Sequence, residues 1–207
     1  MLKQTIVSYP ERGPYGDGRY RGNTSGYLIK DLIETFGSSR VFDPMEGSGT
    51  TRDVCRHLGV EYEGRDLRDG WNILDYKSRR QIEALPKFDF IFFHPPYWNM
   101  ITYRDDPMDF SQGTYPRYVA RMQDALGWFP SILVPGGRIA LLLADLRRPN
   151  STRTYFLTDD VTTPKIFGLI KEFRIIKIQH NTASDGDTGL VGDVRMVHEY
   201  VTIYQKG

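Results

Sequence analysis

The segment His94-Pro95-Pro96-Tyr97-Trp98 gathers groups that suit a planar nitrogen heterocycle. Two consecutive prolines fix φ and remove two N–H donors, leaving rigid carbonyls that accept hydrogen bonds. A neutral imidazole adds one acceptor nitrogen, and Tyr97 and Trp98 add flat faces for stacking. Acceptors beside an aromatic plane grip an exocyclic amino group. A second candidate lies upstream in Asp43-Pro44-Met45-Glu46-Gly47-Ser48-Gly49-Thr50. Gly47 and Gly49 let the backbone approach a ligand closely, because no Cβ intrudes. Asp66 follows about 20 residues later, the offset at which a carboxylate takes the hydroxyls of a ribose. The chain has neither a GK[ST] element nor a G-x-G-x-x-G run, which argues against a phosphate-cradling loop and the common dinucleotide fingerprint.

These groups need elements to hold them. Residues SYPERGPYGDGRYRGNTSG read as an irregular arm. Thr24 or Ser25 then caps a helix whose apolar positions are Leu28, Ile29, Leu32, Ile33 and Phe36, with Gly37 as its stop. Val41–Phe42 reads as a strand running into Asp43-Pro44. Thr50 or Thr51 opens a second helix, closed by Gly59. Val60–Gly64 reads as a second strand, Trp71–Leu74 as a short third, and Lys77–Leu85 as a helix. FDFIFF, Phe88–Phe93, is too apolar for a surface strand and suits the centre of a parallel sheet. The polar loop after it, Asn99–Pro116, is longer than usual and marks a functional segment. A helix over Tyr118–Leu133 is interrupted near Pro130. Gly136-Gly137 turns into a strand at Arg138–Ala144, and a further helix is expected near Thr163–Lys171. Arg174–Gln179 and Glu199–Tyr204 read as the last strands, joined without a helix, so the last should run antiparallel. Strands alternating with helices predict an α/β domain with a mostly parallel sheet.

DPMEGSGT resembles motif I, D-P-F-x-G-S-G-T, of the amino-methyltransferases that methylate adenine N6 or cytosine N4 in DNA with S-adenosylmethionine. HPPYW resembles their motif IV, [D/N/S]-P-P-[Y/F/W]. Gly22-Asn23-Thr24-Ser25 is similar to the family's motif X, and His198-Glu199-Tyr200-Val201 through Lys206 to its last strand. The resemblance implies a Rossmann-like methyltransferase fold: a twisted, mostly parallel sheet of about seven strands with helices on both faces. It implies an irregular arm over 1–22 and one catalytic domain over 23–207. Asn23, Thr24 and Ser25, then Asp43, Pro44, Met45, Gly47, Ser48, Gly49 and Thr50, would hold S-adenosylmethionine. Asp66 would take its ribose, and Asn72 or Asp75 its adenine. His94, Pro95, Pro96 and Tyr97 would carry the transfer to a flipped base. Two positions depart from the pattern: Met45 replaces a Phe, and His94 replaces the Asp, Asn or Ser of motif IV. The family's Asp goes with adenine and its Ser with cytosine, so His94 chooses neither.

Composition narrows the class. Of 207 residues, Lys and Arg number 27 and Asp and Glu 26, which excludes a uniformly basic surface. Nucleic acid, DNA by the resemblance, must then meet a local patch. Candidates for it are Tyr97 and Trp98, the Asn99–Pro116 loop, the 145–158 segment with Arg147, Arg148 and Arg153, the 181–195 loop, and Arg12, Arg19 and Arg21 of the arm. The alternatives are an RNA base methyltransferase and a catalytically inactive module that binds cofactor or nucleic acid. No span between the motifs is long enough for a recognition domain, which suggests a homodimer or a partner recognition subunit. Cys55, the one cysteine, excludes an internal disulfide framework and reads as a core residue; His57, His180 and His198 lack metal-ligand companions, so no metal is expected. MLKQTIVSYPERG lacks the apolar run of a signal peptide, and no stretch is long enough to span a bilayer. The expectation is a cytoplasmic protein.

Overall fold

The computed structural model describes residues 1–103, 106–147, 153–180 and 196–207. In chain order the strands are β1 (Ile6–Ser8), β2 (Arg40–Asp43), β3 (Glu61–Gly64), β4 (Phe88–Phe93), β5 (Leu133–Leu143), β6 (Leu146–Arg147), β7 (Thr154–Tyr155), β8 (Leu169–Ile178) and β9 (His198–Lys206). The helices are α1 (Gly26–Phe36), α2 (Thr50–Leu58), α3 (Tyr76–Glu83), α4 (Tyr115–Trp128) and α5 (Leu157–Thr162). Seven strands form one sheet in the order β1-β8-β9-β5-β4-β2-β3, and β6 and β7 form a separate antiparallel ribbon. β9 runs antiparallel to both β5 and β8; every other pairing in the large sheet is parallel.

The period of two in the strands separates two cores. Val41, Phe90, Phe92, Ala140 and Leu142 pack with Leu28, Ile29, Leu32 and Ile33 of α1 and with Val54 and Cys55 of α2. Phe42, Ile91, Phe93, Ile139 and Leu141 face the other way, toward Ile82 of α3 and Tyr118, Met122, Ala125 and Leu126 of α4. Because helices cover both faces, β4 is apolar on both from Phe90 to Phe93, while Asp89 at its start accepts the Ser39 and Arg40 N–H groups. α1 ends where Gly37 adopts φ +61° and its N–H reaches the Ile33 carbonyl, and α2 ends at Gly59 with φ +68°.

Four expectations change. Trp71–Leu74 forms no strand: Asn72 Oδ1 accepts the Leu74 N–H at 2.8 Å and Trp71 Nε1 donates to the Ser78 carbonyl at 2.9 Å, which locks a turn instead. The arm is not wholly irregular, since β1 pairs with β8 through Ile6–Ile176, Val7–Lys177 and Ser8–Ile178. Gly136-Gly137 lies inside β5 rather than before it, because β5 pairs with β4 on both sides of the glycines, Leu133 with Phe88 and Arg138 with Phe90, across a register shift. The helix expected near Thr163–Lys171 lies earlier, as α5; Pro164 has no N–H with which to continue it, Gly168 takes φ +80°, and β8 begins at Leu169. Among the described residues no helix is long and apolar enough to cross a membrane.

Candidate active site

β2 has β3 on one side and β4 on the other, so the connections through α2 and α3 place its sequence neighbours on opposite flanks. A crevice opens beyond the carboxyl ends of strands at such a reversal. The segments following β2, β3 and β4 converge there around a cleft of about 240 Å³. Asn23, Thr24, Asp43, Pro44, Met45, Gly47, Ser48, Thr50, Asp66, Asn72, His94 and Pro96 line it. Ser25, Gly49, Pro95, Tyr97, Trp98 and Arg147 do not, and Arg148 lies outside the described residues, as does the 181–195 loop.

Buried carboxylates shape the glycine loop. Asp43 accepts from Thr51 Oγ1 at 2.5 Å and from the Met45 N–H at 3.0 Å, while its own carbonyl accepts the Arg65 N–H. Burial pushes the Asp43 carboxyl up to about 7 against the pull of those hydrogen bonds. Gly47 and Gly49 sit at φ +51° and +79°, a region that favours glycine. The Gly47 N–H donates to Asp66 Oδ2 at 2.9 Å; Asp66 Oδ1 accepts from the Arg68 N–H and Nε at 2.9 and 2.8 Å. A carboxylate has about four lone-pair sites, so Asp66 can still accept from a ligand.

The N-terminal arm completes the wall. Thr50 Oγ1 donates to Asn23 Oδ1 at 2.5 Å and lies 2.9 Å from Ser48 Oγ, which joins the arm to the glycine loop. Ser25 Oγ donates to the Glu11 carbonyl and the Gly26 N–H to the Arg12 carbonyl, so Ser25 anchors the arm rather than touching the cleft. Thr24 Oγ1 is buried with no hydrogen-bond partner among the described residues. Tyr20 and Tyr103, which both line the cleft, stack with ring centroids 6.2 Å apart, and the Arg68 guanidinium lies 5.2 Å from the Tyr20 ring centre.

Beyond β4, His94 Nε2 lies 3.0 Å from Tyr97 Oη. Tyr97 Oη donates to Glu199 Oε1 at 2.8 Å, and Lys177 Nζ donates to Glu199 Oε2 at 2.5 Å. Burial pushes the His94 imidazole down to about 4 despite the nearby Glu199 charge, so the ring is neutral at neutral pH. Burial works to raise the Glu199 carboxyl, but the Lys177 charge and the hydrogen bonds from Lys177 and Tyr97 outweigh it and hold it below the usual range. Tyr97 thus ties His94 to a buried ion pair; the stacking face expected of it does not line the cleft.

Trp98 does not offer an open face either. It is buried, and its ring packs on Tyr155 at 4.9 Å and Tyr115 at 5.3 Å between centroids, with Nε1 donating to the Gly113 carbonyl at 3.0 Å. A tight turn puts it there: the Trp98 N–H reaches the Pro96 carbonyl, which also accepts from Tyr118 Oη at 3.0 Å. The same cluster seats the β6–β7 ribbon, with Arg147 on β6 and the Arg153 guanidinium 4.7 Å from the Tyr155 ring centre. Asp75 caps α3 by accepting the Ser78 N–H at 2.8 Å and does not line the cleft.

Sequence reading missed Tyr20, Leu67, Arg68, Tyr103, Met108, Asp109 and Phe110 as cleft residues. The Asn99–Pro116 loop was the available signal. Part of it folds inward, because Arg121 of α4 donates to the Asp109 and Gln112 carbonyls at 2.8 and 3.0 Å and holds the loop over the cleft. Asn72 Nδ2 reaches the Met108 carbonyl at 3.4 Å, so Asn72 ties that loop to the β3–α3 connection.

No protein-family model and no curated protein matches the chain. Solved structures do. The structure reported as "Conversion of a Disulfide Bond into a Thioacetal Group during Echinomycin Biosynthesis" superposes with a TM-score of 0.51 at 14% identity, over 86% of this chain and 81% of that one. TrmN from Thermus thermophilus gives a TM-score of 0.48 at 16% identity, over 90% of this chain and 50% of that one. A SAM dependent methyltransferase from Archaeoglobus fulgidus gives 0.46 at 15%, over 90% and 96%. The chain spans about half the length of TrmN and of the other first structures it matches. At these identities the likeness is one of fold alone: a Rossmann-like, mostly parallel seven-stranded sheet with one antiparallel strand and helices on both faces.

Proposed function

We propose that this chain is an S-adenosylmethionine-dependent methyltransferase acting on the exocyclic amino group of a DNA base, adenine N6 or cytosine N4. The observation that carries the reading is that residues 43–48 of the glycine loop and His94 and Pro96 after β4, far apart in sequence, line one cleft at the strand-order reversal. The residues fit the cofactor on physical grounds. Thr24 Oγ1 is an unpartnered buried polar atom among the cleft-lining residues, and Gly47, at positive φ, brings bare backbone to the cleft. Asn23, Thr24 and the 43–50 loop would hold the methionine end, Asp66 the ribose, and the 108–110 turn with Leu67 and Ile73 the adenine. When bound, S-adenosylmethionine supplies an electrophilic sulfonium methyl.

The chain's own task is to hold the attacking amine. Its lone pair is delocalised into the ring, so it is a poor nucleophile. An acceptor on His94 would draw on an N–H bond of the amine, turn the nitrogen toward sp³ and stabilise the positive charge that develops there. The nitrogen then sheds one proton to solvent. Fixing amine and methyl donor in line removes much of the entropic barrier. A base in a duplex must first leave the stack, at a cost of a few kcal/mol. Arg147 and Arg153 on the ribbon beside Trp98 would meet phosphates. Duplex DNA is thus the proposed partner, with recognition shared with a second copy or a partner subunit.

The test is incubation with methyl-labelled S-adenosylmethionine and either duplex DNA or RNA, followed by digestion to nucleosides. Label in N6-methyladenine or N4-methylcytosine from DNA is the expected result. Label in RNA alone would move the substrate to RNA. Cofactor binding with no label in either would overturn the catalytic reading in favour of an inactive binding module.

A further inference from the structure

We propose that Glu199, paired with Lys177, is a positioning residue that fixes which ring nitrogen of His94 remains an acceptor; the catalytic use of that acceptor rests on the methyl-transfer reading above. The fold places the pair. β9 is antiparallel, so it starts at the same edge where β4 and β5 end, and His198–Tyr200 arrive beside the residues that follow β4. Lys177 and Glu199 are direct cross-strand partners in the β8–β9 register, and both are buried. Nothing in the spacing of Lys177, Glu199 and His94 along the chain announces this meeting.

Counting protons assigns the tautomer. Lys177 donates to one oxygen of Glu199, and its charge keeps the carboxylate ionised, hence an acceptor only. Tyr97 Oη stands 2.8 Å from the other oxygen. Two acceptors at that distance with no proton between them would repel, so the single Tyr97 hydroxyl proton points to Glu199. The oxygen then has only lone pairs to offer His94 Nε2, 3.0 Å away, and Nε2 must carry a hydrogen. A neutral imidazole protonated on Nε2 has its acceptor on Nδ1. The relay Lys177–Glu199–Tyr97–His94 therefore keeps an acceptor on the ring for an amino group that can only donate. If the ion pair is removed, the Tyr97 proton is released to turn to Nε2. The ring then shifts to the Nδ1–H form, which opposes a donor to the substrate's donor.

The replacement of the usual acidic or amide residue by His94 gives this relay its purpose. An Asp or Asn brings an acceptor oxygen in any protonation state it adopts at neutral pH, whereas an imidazole must be told which nitrogen to leave bare.

The experiment is a long-range ¹H–¹⁵N correlation spectrum of the full chain with ¹⁵N-labelled histidine, His94 being assigned by loss of its signals in His94→Gln. It needs neither cofactor nor nucleic acid, so it stands apart from the activity assay. The expected result is the Nε2–H tautomer for His94 in the unsubstituted protein, and a mixed or Nδ1–H ring in Tyr97→Phe and in the Lys177→Met/Glu199→Met double variant. The double variant removes both charges together and leaves no isolated buried ion. In the labelling assay these variants should lose about 100-fold in kcat with the KM for S-adenosylmethionine unchanged. An Nδ1–H or mixed ring in the unsubstituted protein would overturn the proposal, and that measurement requires no variant to fold. A shifted tautomer with undiminished kcat would overturn the positioning role. The expected tautomer in a protein that labels no nucleic acid would uphold the assignment and remove the methyl-transfer reading instead.

Discussion

Asp66 and Gly47 are bound to each other: the Gly47 N–H donates to Asp66 Oδ2 at 2.9 Å. The carboxylate that the motif reading offers to a ribose is thus also the clasp that closes the glycine loop onto the chain after β3. Arg68 reinforces it, donating to Asp66 Oδ1 through Nε and to the Gly47 carbonyl through its guanidinium.

Asp66→Ala should therefore cost more than one ligand contact. A hydrogen bond to a charged group is worth about 1.5–3 kcal/mol, or about 10- to 150-fold in affinity. Loss of a ribose contact together with loosening of the loop should weaken S-adenosylmethionine at least tenfold. Asp66→Asn keeps one acceptor oxygen and should lie between the two. Calorimetric titration reads the series. An Asp66→Ala protein that binds as tightly as the parent would show that neither the clasp nor the ribose contact matters.

Asp43 gives a pH signature. Burial raises its folded-state pKa from 3.8 to about 7, so the folded protein prefers the protonated acid. A group raised on folding contributes stability that is fully present below its unfolded pKa and is lost as pH rises through the folded value. The window here is about pH 4 to 7, and the stability lost across it is on the order of a few kcal/mol. Thermal unfolding should show Tm falling across about pH 4 to 7 from this group, and Asp43→Asn should flatten that fall. Cation binding in the cleft favours the ionised form, so S-adenosylmethionine should bind tighter at pH 8 than at pH 6 and release protons on binding, while its neutral demethylated product should show a weaker dependence. Equal pH dependence for the two ligands would separate Asp43 from the sulfonium.

The sequence makes the parallel core legible because helices on both faces force continuous apolar runs such as residues 90–93, and because Gly37 and Gly59 end helices in the conformation glycine favours. The glycine loop and His94 are legible as types and spacing at strand ends. What local pattern does not carry is long-range pairing. β1 has three residues and no alternation long enough to outweigh the glycines and prolines beyond it; only the edge of β8 makes it a strand. Trp71–Leu74 has strand-like residues, but side-chain bonds from Asn72 and Trp71 turn it. Glu199 reads as an ordinary strand residue until β9 carries it to Tyr97. Trp98 reads as an exposed aromatic beside a proline pair, whereas the turn at Tyr97 throws its ring into the Tyr115–Tyr155 cluster.

That turn makes Trp98 a discriminating position. Among the described residues it is the one non-glycine with positive φ, at +45°, and it is 7% exposed. Truncating a buried Trp to Ala costs about 3–5 kcal/mol, mostly from the cavity left between Tyr115 and Tyr155. Ala also keeps a Cβ in a backbone region that costs an L-residue about 1–2 kcal/mol. Trp98→Gly opens the same cavity without that penalty, although glycine adds about 0.5–1 kcal/mol of unfolded-chain entropy. At an ordinary extended or helical position glycine would be the worse substitution. Here Trp98→Gly should be at least as stable as Trp98→Ala, and both should unfold well before the parent in urea. A Trp98→Gly protein less stable than Trp98→Ala by about 1 kcal/mol, the deficit glycine shows at unstrained sites, would mean that the left-handed turn is not what places the Trp98 ring.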